Sequence, residues 1–166
     1  PPRSTLFPYT TLFRSNDWVK PTQPIKFTLT VTDLKEINLS GAGSIQTDKL
    51  ITPTLEIISS GAGSIALLGL ETESLTVHSS GAGSIEVSGN TLTQKITISG
   101  LGNYDAGDLS SVQTAITVSG AGNSNLWVAE TLDITISGVG SVRYYGDPKI
   151  SQSISGIGSV QKLDDK

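Results

Sequence analysis

The sequence contains no cysteine, only one histidine, and few aromatics, 5% of its 166 residues. Without cysteine, neither a disulfide framework nor a thiolate metal site is available. No apolar run approaches the roughly 20 residues needed to cross a bilayer as a helix. Positive charge is also scarce, with 11 Lys and Arg against 15 Asp and Glu, for a net charge of −4. That balance argues against nucleic acid, whose phosphates demand clustered cations, and against docking on anionic lipid. What the chain has in quantity is Gly, Ser, Thr, Ile, Leu and Val. Branched aliphatics with frequent glycine favour strands broken by turns, and they are too numerous for a disordered chain.

The first fifteen residues, PPRSTLFPYTTLFRS from Pro1 to Ser15, resemble the in-frame translation of a sequencing-library adapter and are set aside from fold reasoning. Removing Arg3 and Arg14 leaves 9 basic residues against 15 acidic ones, and a net charge of −6. The expected organisation is an adapter-derived segment at 1–15 and one domain at 16–166, truncated at its N-terminus. On this reading a signal segment or anchor would lie upstream of what is seen. About 150 residues suffice for one domain with a real core.

A six-residue corner recurs along that domain. It reads SGAGSI at Ser40, Ser60 and Ser80, SGLGNY at Ser99, SGAGNS at Ser119, SGVGSV at Ser137 and SGIGSV at Ser155. The steps between these serines are 20, 20, 19, 20, 18 and 18. A fixed period near twenty is the signature of a solenoid, whose repeats bury their apolar face only against neighbouring repeats. Counting each motif serine as position zero, apolar residues fall three and one places before it, as Ile37 and Leu39, Ile96 and Ile98, Ile116 and Val118, Ile134 and Ile136. They fall again five and seven places after it, as Ile65 and Leu67, Ile85 and Val87, Val142 and Tyr144. Step-two alternation is a strand with one buried face. Position two holds Ala42, Ala62, Ala82, Leu101, Ala121, Val139 and Ile157, which the apolar pattern assigns to the interior as well. The resulting odd steps must be bends, because one extra residue turns every later side chain over. The two glycines fall in those bends, where they supply positive φ or a close backbone approach.

The predicted fold is therefore all-β: a right-handed parallel β-helix of about seven coils of 18–20 residues. A β-sandwich would not repeat one corner seven times, and a silk-like stack would repeat it every few residues.

From about Lys20 to Lys166 the chain resembles the head GIN domain family of auto-transporter adhesins. The resemblance rests on PIKFTLTVTDLKEINLSGAGSI at the entry (Pro24 to Ile45), RYYGDPKISQSISGIGSVQKL at the end (Arg143 to Leu163), and the repeated corner between them. It implies a parallel β-helix in an exported protein, periplasmic or at the cell surface, of Bacteroidetes-like bacteria. It brings no catalytic residue with it.

The chemistry-bearing residues are few. The glycine-rich corner lacks the Lys-Ser/Thr of a phosphate loop and opens no helix. It also has Ser or Asn where a calcium-binding β-roll needs Asp. Asp105 and Asp108 are close in sequence, and a solvated turn accounts for them. His78 lies two places before Ser80, on the outward face between Ile58 and Thr97, with no Ser or Asp column to complete a triad. Glu36 and Glu56 share an outward position on adjacent coils, as a ladder and not a shielded carboxylate pair. Positions six and eight also face outward, and on the fifth and sixth corners they are Asn125, Trp127, Arg143 and Tyr145. An exposed aromatic pair rimmed by amide and guanidinium is the candidate ligand patch.

The expected function is a non-catalytic, adhesin-like module of the cell envelope presenting a rigid β-helix surface, with no cofactor and no metal. Its expected partner is a surface glycan or protein, with no direct membrane insertion by these residues. A structural periplasmic scaffold, self-associating through coil ends, is the alternative. A β-helix polysaccharide-active enzyme would need a cleft of clustered acids or a basic catalytic residue, which the pattern does not offer.

Overall fold

The computed structural model describes residues 26, 28–31 and 34–164, and the segment read as adapter lies outside them. The chain divides after Val31, and the second unit, Thr32–Lys166, holds all the described strands. There are eleven: β1 (Glu36–Leu39), β2 (Ser44–Thr47), β3 (Leu50–Ile51), β4 (Thr54–Ser59), β5 (Ser64–Ser79), β6 (Ser84–Ile98), β7 (Asn103–Val118), β8 (Ala121–Ile136), β9 (Val139–Tyr145), β10 (Lys149–Ile154) and β11 (Ile157–Lys162). Every pairing is parallel, in the order β1-β4-β5-β6-β7-β8-β9-β11, with β2 and β3 on β5 and β10 on β8. On the strands flanking the corners each residue pairs with its equivalent one repeat later, as Ile37 with Ile57, Val77 with Ile96, and Ile116 with Ile134. This is the expected β-solenoid of about seven turns. At a spacing of about 4.8 Å between strands, seven coils make a stack about 30 Å long.

Columns of side chains fill the interior. Ile37, Ile57, Val77, Ile96, Ile116 and Ile134 are buried three places before the corner serine. Beyond the corner, Ile65, Ile85, Tyr104 and Val142 line one column, and Leu67, Val87, Ala106, Leu126 and Tyr144 the next. Each large aliphatic side chain so buried contributes about 1.5–3 kcal/mol, which offsets the ordering of the glycine-rich chain. In the seventh coil, Gln152 pairs with Ile134 and Lys162 with Tyr144, so polar groups replace apolar ones in two columns. Lys162 is bound there to the carboxylate of Asp147.

The corner differs from expectation at one place. Position two is exposed in all seven copies, and Leu101, Val139 and Ile157 are 68%, 54% and 79% exposed. Through the corner, positions zero, two and four face out, and in the later corners the glycines between them lie against the coil before. The reason is how tightly successive corners stack. The amides of Ala62, Ala82, Leu101, Ala121, Val139 and Ile157 donate to the carbonyls of Gly41, Gly61, Gly81, Gly100, Gly120 and Gly138, at 2.9–3.2 Å. A Cβ on the first glycine of any later corner would overlap that same carbonyl oxygen. The corner glycines are thus there for close approach. Positive φ occurs elsewhere, at Gly69, Gly89 and Gly146, nine places after their serines.

Candidate functional site

The sheet register brings the four outward residues together. Asn125 and Trp127 on β8 pair with Arg143 and Tyr145 on β9, so amide faces guanidinium and indole faces phenol on adjacent coils. Trp127 is 38% exposed, Arg143 is exposed, and Asn125 and Tyr145 are half-buried. Both rings lie against glycines. The Tyr145 Cε2 atom lies 3.4 Å from where a Cβ of Gly107 would stand, so its ring reaches across β8 to the coil before. The Trp127 Cδ1 atom is 3.8 Å from the equivalent point at Gly146. Gly107 in turn donates its amide to Asp105 Oδ1 at 3.2 Å, which holds the turn on which the phenol rests. The side-chain oxygen of Asn125 is buried and has no hydrogen-bond partner.

A groove that the corner pattern does not reveal opens beside this patch. Counting from the motif places Trp127 over Gly107, but a shift between Ala106 and Ser110 sets it beside Ser110 instead. Ser110 pairs with Asn90 and Asn90 with Glu71, so these four outward residues stand in one line across four coils. Glu71, Asn90 and Ser110, with Leu92 and Val112, line a groove of about 430 Å3, and Trp127 stands beside Ser110 at its end. Hydrogen bonds tie the floor of the groove to the strands. The hydroxyls of Thr72 and Thr91 donate to the carbonyls of Ser74 at 3.3 Å and Thr93 at 3.1 Å, and Ser111 donates to the Trp127 carbonyl at 2.8 Å. A hydroxyl residue recurring at each bend is the one sequence signal that could have pointed here.

The other candidates lie apart. His78 sits between Ile58 and Thr97 as expected and places Nε2 3.8 Å from Glu56 Oε1, both side chains being about half exposed. Glu36 and Glu56 are register partners. Among the described residues, no group of three or more His, Cys, Asp or Glu is placed to hold a metal. Among the described residues the one strongly shifted acid is structural: burial, and then the adjacent Asp105 charge, push the Tyr104 hydroxyl far above the usual tyrosine range. That hydroxyl donates to Gln94 Oε1 at 3.0 Å inside the core.

Residues 11–148 match the family described as "Putative auto-transporter adhesin, head GIN domain". The chain belongs to that family. The description is that of an auto-transporter adhesin, a kind of exported protein, and the match stops before the seventh corner of this head GIN domain. Among solved structures, a putative adhesin from Bacteroides fragilis is 30% identical with a TM-score of 0.76, covering 78% of this chain and 61% of that one. A putative lipid binding protein from Parabacteroides distasonis is 27% identical with a TM-score of 0.67, covering 80% and 55%. A putative adhesin from Parabacteroides merdae shares the fold at 22% identity and a TM-score of 0.67, covering 80% and 57%. The chain thus spans about three-fifths of the length of these structures. No curated protein matches it.

Proposed function

We propose that this head GIN domain is a non-catalytic adhesive module that binds a surface glycan or protein through the lateral face around Trp127 and Tyr145. The observation that carries the reading is the pairing of these two aromatics on adjacent coils, each beside a glycine, with Arg143 and Asn125 next to them. Aromatic anchors with a polar margin are the usual core of a binding surface. The parallel stack fixes their spacing, so little ordering cost falls on binding. Such a module works where it can meet partners, on the outer face of the cell and not in the periplasm.

The test is a binding screen of the chain against cell-envelope glycans and surface proteins, run beside the Trp127→Ala, Tyr145→Ala double variant. Binding by the parent and its loss in the variant, with unchanged melting curves, supports the reading. Binding that survives the double substitution removes it.

A self-associating scaffold is favoured by a different feature, the exposed apolar ridge of Leu101, Val139 and Ile157 along the corner. That reading predicts concentration-dependent sedimentation, abolished when the three are changed to Ser.

A further inference from the structure

We propose that the groove beside the aromatic patch takes an extended, uncharged glycan chain, laid along the stacking axis from Glu71 to Trp127 with one sugar residue to each coil. The proposal rests on the binding role assigned above to the Trp127 face and names the ligand class for it.

Spacing is the first argument. Glu71, Asn90, Ser110 and Trp127 are successive register partners, so their outward side chains advance by about 4.8 Å per coil. Four coils therefore present four groups over about 14 Å along a straight line. That advance is close to the rise per sugar in an extended β-linked chain. A ligand with the same repeat meets an equivalent contact at every coil.

Chemistry is the second. Glu71, Asn90 and Ser110 offer a carboxylate, an amide and a hydroxyl, groups that accept from and donate to neighbouring sugar hydroxyls. Leu92 and Val112 add apolar lining, which suits the C–H face of a pyranose ring. At the end of the line the partly exposed indole of Trp127 is a flat platform for a terminal ring. Apolar lining with a few placed polar groups is how pockets recognise small polar ligands.

Charge and backbone pairing narrow the class. The six residues carry a single charge, the negative one of Glu71, so a polyanionic chain is repelled. An extended peptide would need free backbone groups to pair with. Here Glu71, Asn90 and Ser110 are each already paired to strands on both sides. The bonded hydroxyls of Thr72, Thr91 and Ser111 tie the groove to the strands before any ligand arrives.

The experiment is calorimetric titration of the full chain with neutral β-linked glucose and N-acetylglucosamine oligomers, from disaccharide to hexasaccharide, with oligogalacturonate as the anionic comparison. Affinity should climb with length up to the tetrasaccharide and then level off, while the anionic series fails to bind. Asn90→Ala with Ser110→Ala should flatten the length dependence, and Trp127→Ala should weaken the tetrasaccharide at least tenfold, all with parental melting curves. Absence of binding to every neutral oligomer overturns the proposal, as does equal affinity for the anionic series. Loss of binding in Trp127→Ala without any effect of the Asn90 and Ser110 changes overturns the groove while leaving the aromatic patch as a binding surface.

Discussion

At the fifth corner, two adjacent residues should respond in opposite ways to the addition of side-chain atoms. A single methyl added in Gly120→Ala would lie 2.6 Å from the carbonyl carbon of Ser99 and overlap the oxygen of Gly100. These are backbone atoms of the coil below and cannot swing aside. Relief requires the two corners to part, which weakens the bonds from Ser119 and Gly120 to Ile98, at 2.8 and 3.2 Å, and from Ala121 to Gly100, at 2.9 Å. Two or three such bonds at about 1 kcal/mol each, or an equivalent strain of about 1–3 kcal/mol, put the cost near 3 kcal/mol. For a domain of this size that lowers Tm by about 6–12 °C. Ala121→Leu adds three heavy atoms yet should change stability by no more than about 0.5 kcal/mol, since Ala121 is exposed and Leu101 already occupies the same column one coil back. Gly41→Ala should also be silent, because no described atom lies within 4 Å of the new Cβ. Thermal melting followed by far-ultraviolet circular dichroism reads all three. If Gly120→Ala melts with the parent, or Ala121→Leu melts below it, the account of the corner is wrong.

Ile96→Asp places a carboxylate between Val77 and Ile116 at a position 1% exposed, and should cost more than about 4 kcal/mol, with the neighbouring coils lost in the same transition; limited proteolysis would show their release together. Ser124→Ala removes a buried hydroxyl that has no hydrogen-bond partner, and should raise stability by about 1 kcal/mol in denaturant melts. Tyr104 should make the protein sensitive to alkali. Its folded pKa lies above the unfolded value of 10.0, so the stability it contributes is whole below that pH and is lost as pH rises beyond it. Tm should therefore fall more steeply above about pH 10 in the parent than in Tyr104→Phe, which should itself cost about 1–3 kcal/mol at neutral pH by leaving Gln94 Oε1 unbonded. Equal alkaline slopes for the two would remove Tyr104 as the source.

The architecture was legible because a solenoid writes its period into the chain. The spacing of the seven serines matches the observed register, and the alternation around them identified Ile96, Ile116, Ile134, Ile65 and Leu67 as interior. The same alternation put His78 between Ile58 and Thr97 and set Trp127 beside Tyr145. Position two misled because alanine is silent about which way it faces, and because Leu101, Val139 and Ile157 are apolar without being buried. Their side became clear only from the corner ladder, where the carbonyl below excludes a Cβ at the first glycine of every later corner. The groove was hidden by irregular spacing. Glu71, Asn90, Ser110 and Trp127 lie 19, 20 and 17 residues apart, and the shift after Ala106 displaces the last of them from its motif count. No periodic argument places a residue across such a shift.

The most direct test of the lateral-face account is an amide chemical-shift map of the chain, titrated with a ligand bound in the envelope screen. The account predicts that the shifts concentrate around Asn90, Ser110, Trp127, Arg143 and Tyr145, crossing β6 to β9 on one face. Shifts confined to the end coils around Ile37 and Ile154, or to the corner ridge around Leu101 and Val139, would contradict it.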